Sequence, residues 1–455
     1  MLLPCVVTIA GSDSSGGAGI EADLKTFSAM QTYGACVITA VTAQDTRGVR
    51  EIVPIPARLV ELQLETVLRD LPIKAAKIGM LFRSDIAESV AKAIRSRDIP
   101  IVVDPVLKAG SGDSLIEATA GEVLLGAIFP LASLITPNLS EAEELCGFKI
   151  VDLETMVDAA KAIMKRGPKA VLIKGGKFSE EEVIDLLYSS RGYKPLRKRR
   201  LDVNAHGAGC TLSSAIAALL AQGLGLEEAV SRAEFFMEGA LRFSLSLGGG
   251  RNPVHQFVHL YNDAQRWDVA KNVRDAAKRV VAESRFLPHI ARVGTQVAMA
   301  LPYAYSEDQV AAIEGRITRV RGRAKMGEVE FGPSTHMSNV VLAAMRHSPS
   351  VRAVMNLHYD RDLVEVFRSR GSKVSSFDRS EEPREVKEVE GRSLRWGTEE
   401  AIRKAGLVPD VIFDLGEEGR EPMIRVLGAS AMEVVEKASS SIELLEKGFS
   451  RRARP

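Results

Sequence analysis

Residues 204–211, with the sequence NAHGAGCT, place small residues and a cysteine directly before a stretch of helical character. Small residues at 207–209 let a ligand approach the backbone, and the consecutive N–H groups of a helix N-terminus attract an anion such as phosphate. A helix N-terminus also lowers the pKa of a thiol, so Cys210 as a thiolate can take the proton from a substrate hydroxyl during phosphoryl transfer. The same residues also fit a tight turn in which Cys210 is a small buried hydrophobe.

Further polar residues stand at the ends of predicted strands. They are Asp13, Gln44, Asp104, Asn138, Glu141 and Lys174. Asp104 and Glu141 offer the hard oxygen ligands that suit Mg²⁺ on ATP phosphates. Lys174 can neutralise phosphate oxygens, and Gln44 can both donate and accept hydrogen bonds at the edge of a heterocycle. A purely structural chain has no need to concentrate these residue types at one edge, so the pattern favours a phosphate site over a plain turn.

The elements that must position these residues alternate along the first half of the chain. Apolar runs of strand length occupy residues 5–10, 36–43, 75–78, 101–103, 134–135 and 170–173, and amphipathic stretches between them include 56–71, 84–96 and 154–166. This alternation predicts a mostly parallel, doubly wound α/β sheet with helices on both faces. Because ligands bind outside the carboxyl ends of such strands, we expect the polar residues to meet at one edge.

A change of pattern divides the chain near residue 262. Turn residues fill positions 248–255, and residues 261–263 fit a junction. We therefore expect one domain over residues 1–262 and a second, smaller α/β domain over residues 263–455. Its predicted elements are helices over 267–283, 360–370, 398–405 and 430–447 and strands over 351–357 and 410–415.

The second domain has one stretch suited to phosphate chemistry. Residues 331–337 lead into a predicted helix with Ser334 or Thr335 as its N-cap. The first turn of such a helix suits phosphate, and Arg316 lies upstream on a predicted strand. A plain helix start explains the same residues, and the pattern alone does not separate the two interpretations.

Composition excludes several classes of protein. At 455 residues, with 45% apolar residues and a formal net charge of +1, the chain is typical of a soluble globular protein and gives no global signal for nucleic acid. No apolar run approaches the roughly 20 residues that cross a bilayer, so we expect no membrane partner and a cytoplasmic location. The four cysteines form no Cys-x-x-Cys motif, which argues against a zinc site or a disulfide framework. We expect small-molecule substrates and a homo-oligomer.

Seven groups of residues in the first domain closely resemble hydroxymethylpyrimidine/phosphomethylpyrimidine kinase of the ribokinase-like superfamily. They are GSDSSGGAGI (11–20) with ADLKT (22–26), TAQDTRGV (42–49), KIGML (77–81), DPV (104–106), TPNLSEA (136–142), KGG (174–176) and HGAGCTL (206–212). The resemblance covers about residues 1–257. It implies a ribokinase-like fold and ATP- and Mg²⁺-dependent phosphorylation of 4-amino-5-hydroxymethyl-2-methylpyrimidine and then of its monophosphate.

This resemblance also implies roles for the matching residues. The pyrimidine pocket is expected to involve Gly11, Asp23, Gln44, Gly79 and Met80. ATP and its phosphates are expected at Asn138, Lys174, Gly207, Ala208, Gly209 and Thr211, with Asp104 and Glu141 at the metal, Lys174 also catalytic and Cys210 as the base. Ala208 replaces a threonine often found in this family, which leaves the backbone donors of the loop intact.

Five segments of the second domain look like the ThiN family of archaeal-type thiamine-phosphate synthases. They are GRI (315–317), FGPSTH (331–336), VMNLHY (354–359), PDVIFD (409–414) and EPMIRVLG (421–428). The resemblance covers about residues 267–445 and implies condensation of the pyrimidine diphosphate with hydroxyethylthiazole phosphate. It implies Arg316 and His336 as catalytic residues that stabilise the leaving pyrophosphate. Pro333 and His358 depart from the usual pattern.

Two other functions are compatible with these patterns. Some ThiN-like domains sense thiamine phosphate without making it, so the second domain could be a non-catalytic sensor attached to the kinase. Pyridoxal-type kinases share the cysteine loop, so the first domain could prefer pyridoxal. Arg316 and His336 are both retained and no helix-turn-helix unit is evident, so the sequence favours a bifunctional enzyme of thiamine biosynthesis.

Overall fold

The computed structural model describes residues 3–106, 124–387 and 391–452 of the chain. The chain forms two compact units, Met1–His259 and Leu260–Pro455. The division lies close to the junction suggested at residues 261–263, and it falls inside a helix, Val258–Ala282. This helix contains no glycine or proline, and the Asn262 amide exchanges two hydrogen bonds with the backbone of Tyr303, so the polar residues there do not interrupt it.

The first unit alternates strands and helices. Its strands are β1 (Cys5–Ala10), β2 (Tyr33–Ile38), β3 (Ala40–Gln44), β4 (Val49–Pro54), β5 (Ile73–Ile78), β6 (Ile101–Val103), β7 (Leu134–Ile135), β8 (Ala170–Gly176), β9 (Glu182–Ser189), β10 (Gly192–Arg199), β11 (Ala205–His206) and β12 (Asn252–Pro253). Its helices are α1 (Gly19–Ala29), α2 (Ala57–Asp70), α3 (Ser84–Ile94), α4 (Leu139–Cys146), α5 (Leu153–Met164), α6 (Ala208–Ala221) and α7 (Leu226–Arg242), with short helical turns at Leu124–Ile128 and Phe129–Leu131.

An eight-stranded sheet in the order β10-β9-β8-β7-β6-β5-β1-β2 organises this unit. The strands from β8 to β2 pair in parallel, and β9 and β10 continue the sheet antiparallel. Alternate residues of β1 enter two separate cores, since Val7 and Ile9 pack with α2, α3 and α5, whereas Val6 packs with α6 and α7. The prediction of a mostly parallel, doubly wound sheet covered on both faces is therefore confirmed.

The apolar run at residues 36–43 does not form the single strand expected from the sequence. It breaks after Ile38 into β2, which joins the large sheet, and β3, which pairs with β4 in a separate two-stranded sheet. At the break, the buried Thr39 donates its N–H to Ala10 and its hydroxyl to the carbonyl oxygen of Met80 at 2.6 Å. The β3–β4 pair thereby brings Gln44 to the loop after β1, where the Ser14 hydroxyl donates to its carbonyl oxygen at 2.7 Å.

The second unit is also mixed α/β. Its strands are β13 (Val297–Ala300), β14 (Val310–Ile313), β15 (Thr318–Val320), β16 (Arg323–Lys325), β17 (Val329–Phe331), β18 (Ala353–His358), β19 (Val374–Ser376), β20 (Val411–Asp414) and β21 (Met423–Gly428). Its helices are α8 (Val258–Ala282), α9 (Thr335–His347), α10 (Arg361–Ser369), α11 (Arg384–Lys387), α12 (Arg392–Ala405) and α13 (Ala431–Arg452), with short helical turns at Ser284–His289, Glu307–Gln309 and Arg379–Glu381.

A seven-stranded sheet in the order β17-β14-β13-β18-β21-β20-β19 forms the centre of the second unit. Its neighbouring strands are antiparallel except for the parallel pair β19–β20. The strands and the helices α8, α9, α10 and α13 contribute to one continuous hydrophobic core. The prediction of a second, smaller α/β domain is confirmed.

The two longest described helices are α8, with 25 residues, and α13, with 22 residues. Both carry charged residues along much of their length. Neither these nor any other helix within residues 3–106, 124–387 and 391–452 is apolar enough over a sufficient length to cross a membrane.

One buried carboxylate connects four elements of the first unit. Asp23 of α1 is fully buried and accepts hydrogen bonds from Thr8 of β1 at 2.6 Å and from Ser214 of α6 at 2.7 Å. It also forms an ion pair with Lys77 of β5 at 2.8 Å, and both side chains are fully buried. Because a charge inside a protein is tolerated only when it is paired and hydrogen-bonded, these contacts hold α1 and α6 against the sheet in one arrangement.

We expect Asp23→Ala to destabilise the first unit by about 3–5 kcal/mol, since it leaves the Lys77 ammonium buried without a counter-charge. Asp158→Ala is the matched control, because Asp158 pairs with Lys161 on the surface, where such pairs contribute about 0–1 kcal/mol. Hydrogen–deuterium exchange of the β1 and β5 amides measures the difference within this unit. Equal protection of these strands in the two variants would contradict the structural role given to Asp23.

Candidate active sites

A cavity of about 760 Å³ runs along the carboxyl edge of the large sheet. Its walls follow the strand order, because residues after or near the ends of successive strands contribute to it. In that order they include Gly11 and Asp13 after β1, Lys77 and Met80 at β5, Asp104 after β6, Asn138 after β7, Lys174 in β8, Asp185 in β9 and Lys198 in β10. The parallel sheet thus gathers residues that are distant in the chain into one continuous cleft.

Asp13 ties the loop after β1 to the loop before α6. Its Oδ2 atom accepts N–H groups from Gly17 at 3.0 Å and Ala18 at 2.8 Å, and it lies 2.9 Å from Nε2 of His206. Burial by itself would raise the pKa of Asp13, but the hydrogen bonds from His206, Ser15 and Ala18 outweigh it and lower the pKa. An ionised Asp13 therefore organises two glycine-rich loops at the cavity wall.

Two glycines allow the start of α6 to approach its neighbours. Gly207 has φ +83°, and a Cβ at this position would lie 1.8 Å from the carbonyl oxygen of Gly17. A Cβ on Gly209 would lie 3.1 Å from Oδ2 of Asp104 and 3.5 Å from Nζ of Lys174. Close approach of the backbone to the carboxylate and the lysine therefore requires small residues here, as the sequence predicted.

The centre of the cavity holds a lysine between two carboxyl groups. Lys174 forms an ion pair with Asp104 at 3.0 Å, and burial would lower the pKa of Lys174, but Asp104 and Glu141 together raise it. Glu141 forms a capping box with Asn138 at the start of α4, with bonds of 2.8 and 2.9 Å. Burial raises the pKa of Glu141 to about 7, so this carboxyl group titrates near neutrality in the free protein.

The carboxyl groups at the centre of the cavity suit a metal ion that also has water or phosphate oxygens as ligands. Among the described residues, no group of three or more His, Cys, Asp or Glu side chains is arranged to hold a metal ion by itself. Asp104 and Glu141 supply two carboxyl groups to one part of the cavity, and both interact electrostatically with Lys174. Two carboxyl groups fit Mg²⁺, which usually keeps water and phosphate oxygens as its remaining ligands.

The pKa of the Cys210 thiol differs from the one expected from the sequence. A helix N-terminus was expected to lower the pKa of this thiol, but burial raises the pKa to about 11, and the charges of Asp23 and Asp104 act in the same direction. The ammonium of Lys77 opposes this effect and lowers the pKa, although not enough to reverse it. Cys210 is half-buried at the cavity wall, and desolvation of its thiolate outweighs the opposing effect of Lys77, so the resting group is the neutral thiol.

The structure brings together most of the predicted site residues of the first domain. The cavity is lined by Gly11, Gln44, Met80, Asp104, Asn138, Glu141, Lys174, Gly207, Ala208, Gly209 and Cys210. Asp23, Gly79 and Thr211 do not line it. Asp23 and Thr211 are fully buried, and the Thr211 hydroxyl accepts a hydrogen bond from Gln256 at 3.1 Å. A Cβ at Gly79 would lie 2.8 Å from Nζ of Lys77, so this glycine leaves room for the lysine.

Sequence reasoning missed several residues of this cavity. Lys77 lines it and interacts electrostatically with Cys210, and its signal was a lysine inside the apolar strand IKAAKI. Lys198 lies between Asp185 and Glu234 at 2.7 and 2.5 Å, and all three line the far end of the cavity. The three are spread over β9, β10 and α7, so no local motif could reveal them.

A second cavity, of about 300 Å³, lies within the second unit. Among the described residues that line it, Arg316, Arg379, Lys387, Arg420 and Arg425 are basic and Glu421 is acidic, and His336 also lines it. Such an excess of positive charge around a small cavity indicates an anionic ligand.

Arg316 and His336 meet at this cavity, but Arg316 is not on a strand as the sequence predicted. It lies in the turn between β14 and β15 with φ +67°, directly after Gly315 with φ +66°. Its Nη1 atom donates to the carbonyl oxygen of Val293 at 2.6 Å. A non-glycine residue with positive φ is uncommon and is enriched at ligand sites, which agrees with a functional arginine here.

The start of α9 lacks a side-chain cap. Ser334 occupies the N-cap position, yet its side chain makes no capping hydrogen bond. His336 lies in the first turn of α9 and lines the cavity together with Ser334 and Met337. The N–H groups in the first turn of a helix point along its axis and favour an anion, so this turn complements the basic side chains.

The chain matches two family models, one for each unit. Residues 13–255 match phosphomethylpyrimidine kinase, and residues 272–440 match thiamine-phosphate synthase ThiN. The hydroxymethylpyrimidine/phosphomethylpyrimidine kinase of Rhizobium meliloti is 46% identical over 261 residues, which cover 56% of this chain and 98% of the relative. The bifunctional thiamine biosynthesis protein ThiDN of Methanocaldococcus jannaschii is 32% identical over 444 residues, which cover 97% of this chain and 98% of the relative.

Solved structures resemble the first unit. A Bacillus subtilis pyridoxal kinase, solved as an ADP complex, has a TM-score of 0.54 at 36% identity and covers 57% of this chain and 99% of its own. Fold, cavity and matches together define an α/β kinase joined to a second α/β unit with a cationic cavity. The chain belongs to the family of bifunctional thiamine biosynthesis proteins represented by ThiDN, with its kinase first and its ThiN synthase second. It is a transferase with a nucleotide-using kinase activity and a thiamine-phosphate synthase activity.

We expect iodoacetamide to alkylate Cys210 slowly at pH 7, because only the thiolate reacts and the pKa is raised to about 11. The rate should increase about tenfold per pH unit up to pH 10. Mass spectrometry of the Cys210 peptide measures the alkylation rate at each pH. The denatured chain is the control, and the midpoint of its rate against pH should lie near the ordinary cysteine pKa of about 8.5. A midpoint at or below pH 8 in the folded protein would mean that the cavity stabilises the thiolate.

Proposed function

We propose that residues 1–262 phosphorylate 4-amino-5-hydroxymethyl-2-methylpyrimidine and then its monophosphate, with Mg-ATP as donor. We propose that residues 263–455 join the resulting diphosphate to hydroxyethylthiazole phosphate, giving thiamine phosphate and pyrophosphate. The observation that carries this proposal is the full-length match to a bifunctional thiamine biosynthesis protein, together with a phosphate-type cavity in each unit.

The strand order suggests how the kinase ligands lie along the first cavity. The pyrimidine is proposed for the β1 end, beside Gly11, Gln44 and Met80, where an amide can pair with a heterocycle edge. The transferred phosphoryl group is proposed for the centre, between Lys174 and the N-terminus of α6 at Gly207, Ala208 and Gly209. The remaining part of the cavity, beside β8 to β10, is then available for the nucleoside of ATP.

In the kinase step, the substrate hydroxyl oxygen attacks the γ-phosphorus and the bond to the ADP oxygen breaks. Cys210 is proposed to take the hydroxyl proton on its sulfur, with the nearby Lys77 ammonium stabilising the thiolate form. Lys174 and the loop N–H groups stabilise the charge that develops on the phosphoryl oxygens. Asn138 is proposed to help orient ATP, and Asp23 acts by holding Lys77.

Asp104 and Glu141 are proposed to hold Mg²⁺ with ATP. The ion neutralises charge on the phosphates when it is bound. Because Glu141 has a pKa raised to about 7 by burial, its carboxyl group is partly protonated at neutral pH and ionises when a cation enters. Binding of the metal–nucleotide complex is therefore expected to release protons.

In the synthase step, the thiazole nitrogen forms a bond to the pyrimidine methylene carbon while the carbon–oxygen bond to the diphosphate breaks. The leaving pyrophosphate gains negative charge, and Arg316, His336 and the first turn of α9 are proposed to stabilise it. We also propose a homo-oligomer in the cytoplasm. All four cysteines lie among the described residues as free thiols, which suits a reducing compartment.

The decisive experiment supplies the purified chain with the pyrimidine alcohol, Mg-ATP and thiazole phosphate and measures thiamine phosphate. Its formation supports both activities, whereas accumulation of the pyrimidine diphosphate alone would leave the second unit as a sensor. Pyridoxal is compared as kinase substrate in parallel, because solved relatives of the first unit include pyridoxal kinases. A strong preference for pyridoxal would overturn the pyrimidine assignment.

We expect substitutions in the two cavities to separate the two activities. Cys210→Ala should lower the kinase rate by about 100-fold or more while condensation of added pyrimidine diphosphate continues. Arg316→Ala and His336→Ala should each lower condensation by about 100-fold while the kinase rate is unchanged. Loss of both activities in any one variant would indicate misfolding or an unforeseen coupling.

The kinase rate should also depend on pH through Cys210. The sulfur can accept a proton only as the thiolate, so kcat should rise about tenfold per pH unit between pH 7 and pH 9, well below the raised pKa of about 11. Cys210→Asp is the matched variant, because its carboxylate stays ionised over this range and its kcat should not rise in the same way. Titration of Glu141 affects both enzymes alike, so it cancels in the comparison. Parallel pH profiles for the two enzymes would assign Cys210 the role of a hydrogen-bond donor.

A further inference from the structure

Two arginines of the second cavity share a single buried carboxylate. Asp414 at the end of β20 accepts from Nη1 of Arg425 at 2.7 Å and from Nε of Arg379 at 2.6 Å. The side chains of Asp414, Arg425 and Arg379 are 0%, 1% and 6% exposed. The resemblance to a family singled out Arg316 and His336 only, so this cluster adds a second group of cations to the same cavity.

The cluster contains two guanidinium groups and one carboxylate, so it carries an excess of one positive charge. Asp414 also accepts the N–H of Gly416 at 3.0 Å, so the Arg425 guanidinium has no exclusive counter-charge, and its Nε atom is buried without a hydrogen-bond partner among the described residues. A buried cation without full compensation is costly. In agreement, burial lowers the pKa of Arg425, although Asp414 opposes this. An anionic ligand in the cavity would complete the set of hydrogen bonds.

The other cations around the cavity differ in how many carboxylate partners they have. Arg420 lies 3.4 Å from Glu382 and 3.2 Å from Glu417, and Lys387 lies 3.1 Å from Glu417. Arg316 bonds a backbone carbonyl and has no carboxylate partner among the described residues. Positive charge is therefore least compensated at two points, Arg316 and the Arg379–Arg425 pair.

The pair is also held rigidly. The Cζ atoms of Arg379 and Arg425 lie 5.4 and 5.5 Å from the centre of the Phe377 ring. Phe377 packs closely on α12, since a Cβ at Gly397 would lie 2.5 Å from the ring. Guanidinium groups fixed between a carboxylate and an aromatic ring lose little entropy when a ligand binds, which favours a specific anion site.

We propose that the Arg379–Asp414–Arg425 cluster binds the phosphate of the thiazole acceptor, whereas Arg316, His336 and the start of α9 bind the diphosphate of the pyrimidine. This assignment rests on the proposed synthase function. The more highly charged diphosphate matches the group that combines Arg316, His336 and the N-terminus of α9. The smaller phosphate dianion matches a fixed guanidinium pair with one uncompensated charge.

The test uses the full chain with added pyrimidine diphosphate and two acceptors, thiazole phosphate and the thiazole alcohol without phosphate. Arg425→Gln leaves Arg379 and Asp414 as a balanced pair. It should lower kcat/KM for thiazole phosphate by about 100-fold, because charge-assisted hydrogen bonds are lost, and change the value for the alcohol by less than about threefold. The KM for the pyrimidine diphosphate and the kinase rate should be unchanged. Arg368→Gln is the surface control, since Arg368 pairs with the exposed Glu365.

Equal losses with both acceptors, or a rise in the KM for the pyrimidine diphosphate alone, would overturn the assignment. If the second unit of Arg425→Gln does not fold, as judged by its unfolding transition, Arg379→Gln is measured in the same way. Calorimetry of the unaltered chain supplies a second criterion, because equal affinity for thiazole phosphate and thiazole alcohol would also overturn the proposal. Absence of any condensation by the unaltered chain would instead reject the synthase function itself, so the two failures are distinguishable.

Discussion

Both units of this protein depend on the same physical constraint, which is that a cation removed from water needs a carboxylate beside it. Asp23 supplies it for Lys77, Asp104 for Lys174, and Asp414 for Arg379 and Arg425. Each pair joins different strands or helices, so the counter-charges determine the fold locally and position cations at a cavity wall. In the first unit each buried lysine has at least one carboxylate of its own, whereas in the second unit one carboxylate serves two arginines. This difference is what gives the second cavity its uncompensated charge.

The two sheets assemble their cavities in different ways. Parallel pairing in the first unit brings the carboxyl ends of β1, β5, β6, β7 and β8 to one edge, so the cavity residues follow the strand order. In the mostly antiparallel second sheet, neighbouring strands run in opposite directions and no such edge exists. Its cavity instead combines a turn with positive φ at Arg316, the start of α9, and side chains from inside β18 and β21. The phosphate ligands proposed for both cavities would therefore be bound through two unrelated arrangements.

Local environment also decides the chemical state of the proposed catalytic groups. Burial keeps the resting Cys210 thiol neutral and brings the pKa of Glu141 to about 7, while hydrogen bonds keep the buried Asp13 ionised. Three acidic groups in one cavity thus differ in charge at neutral pH because they differ in desolvation and in donors. A cavity that holds neutral groups when empty can change their ionisation when a metal–nucleotide complex enters, which couples binding to proton movement.

The sequence by itself determined the alternation of strands and helices, the doubly wound fold, the glycine-rich loops and the gathering of Asp104, Lys174 and Cys210, because strand periodicity and parallel pairing are local or general rules. Only the tertiary structure decided the pKa of Cys210, since desolvation depends on what surrounds the sulfur. It also decided that Asp23 lies behind the cavity wall, where it pairs with the cavity-lining Lys77, and that Arg316 occupies a turn. The Arg379–Asp414–Arg425 cluster joins residues from three separate segments, and no motif spacing encodes such a contact. Long-range packing and burial, which no local pattern records, supplied these features.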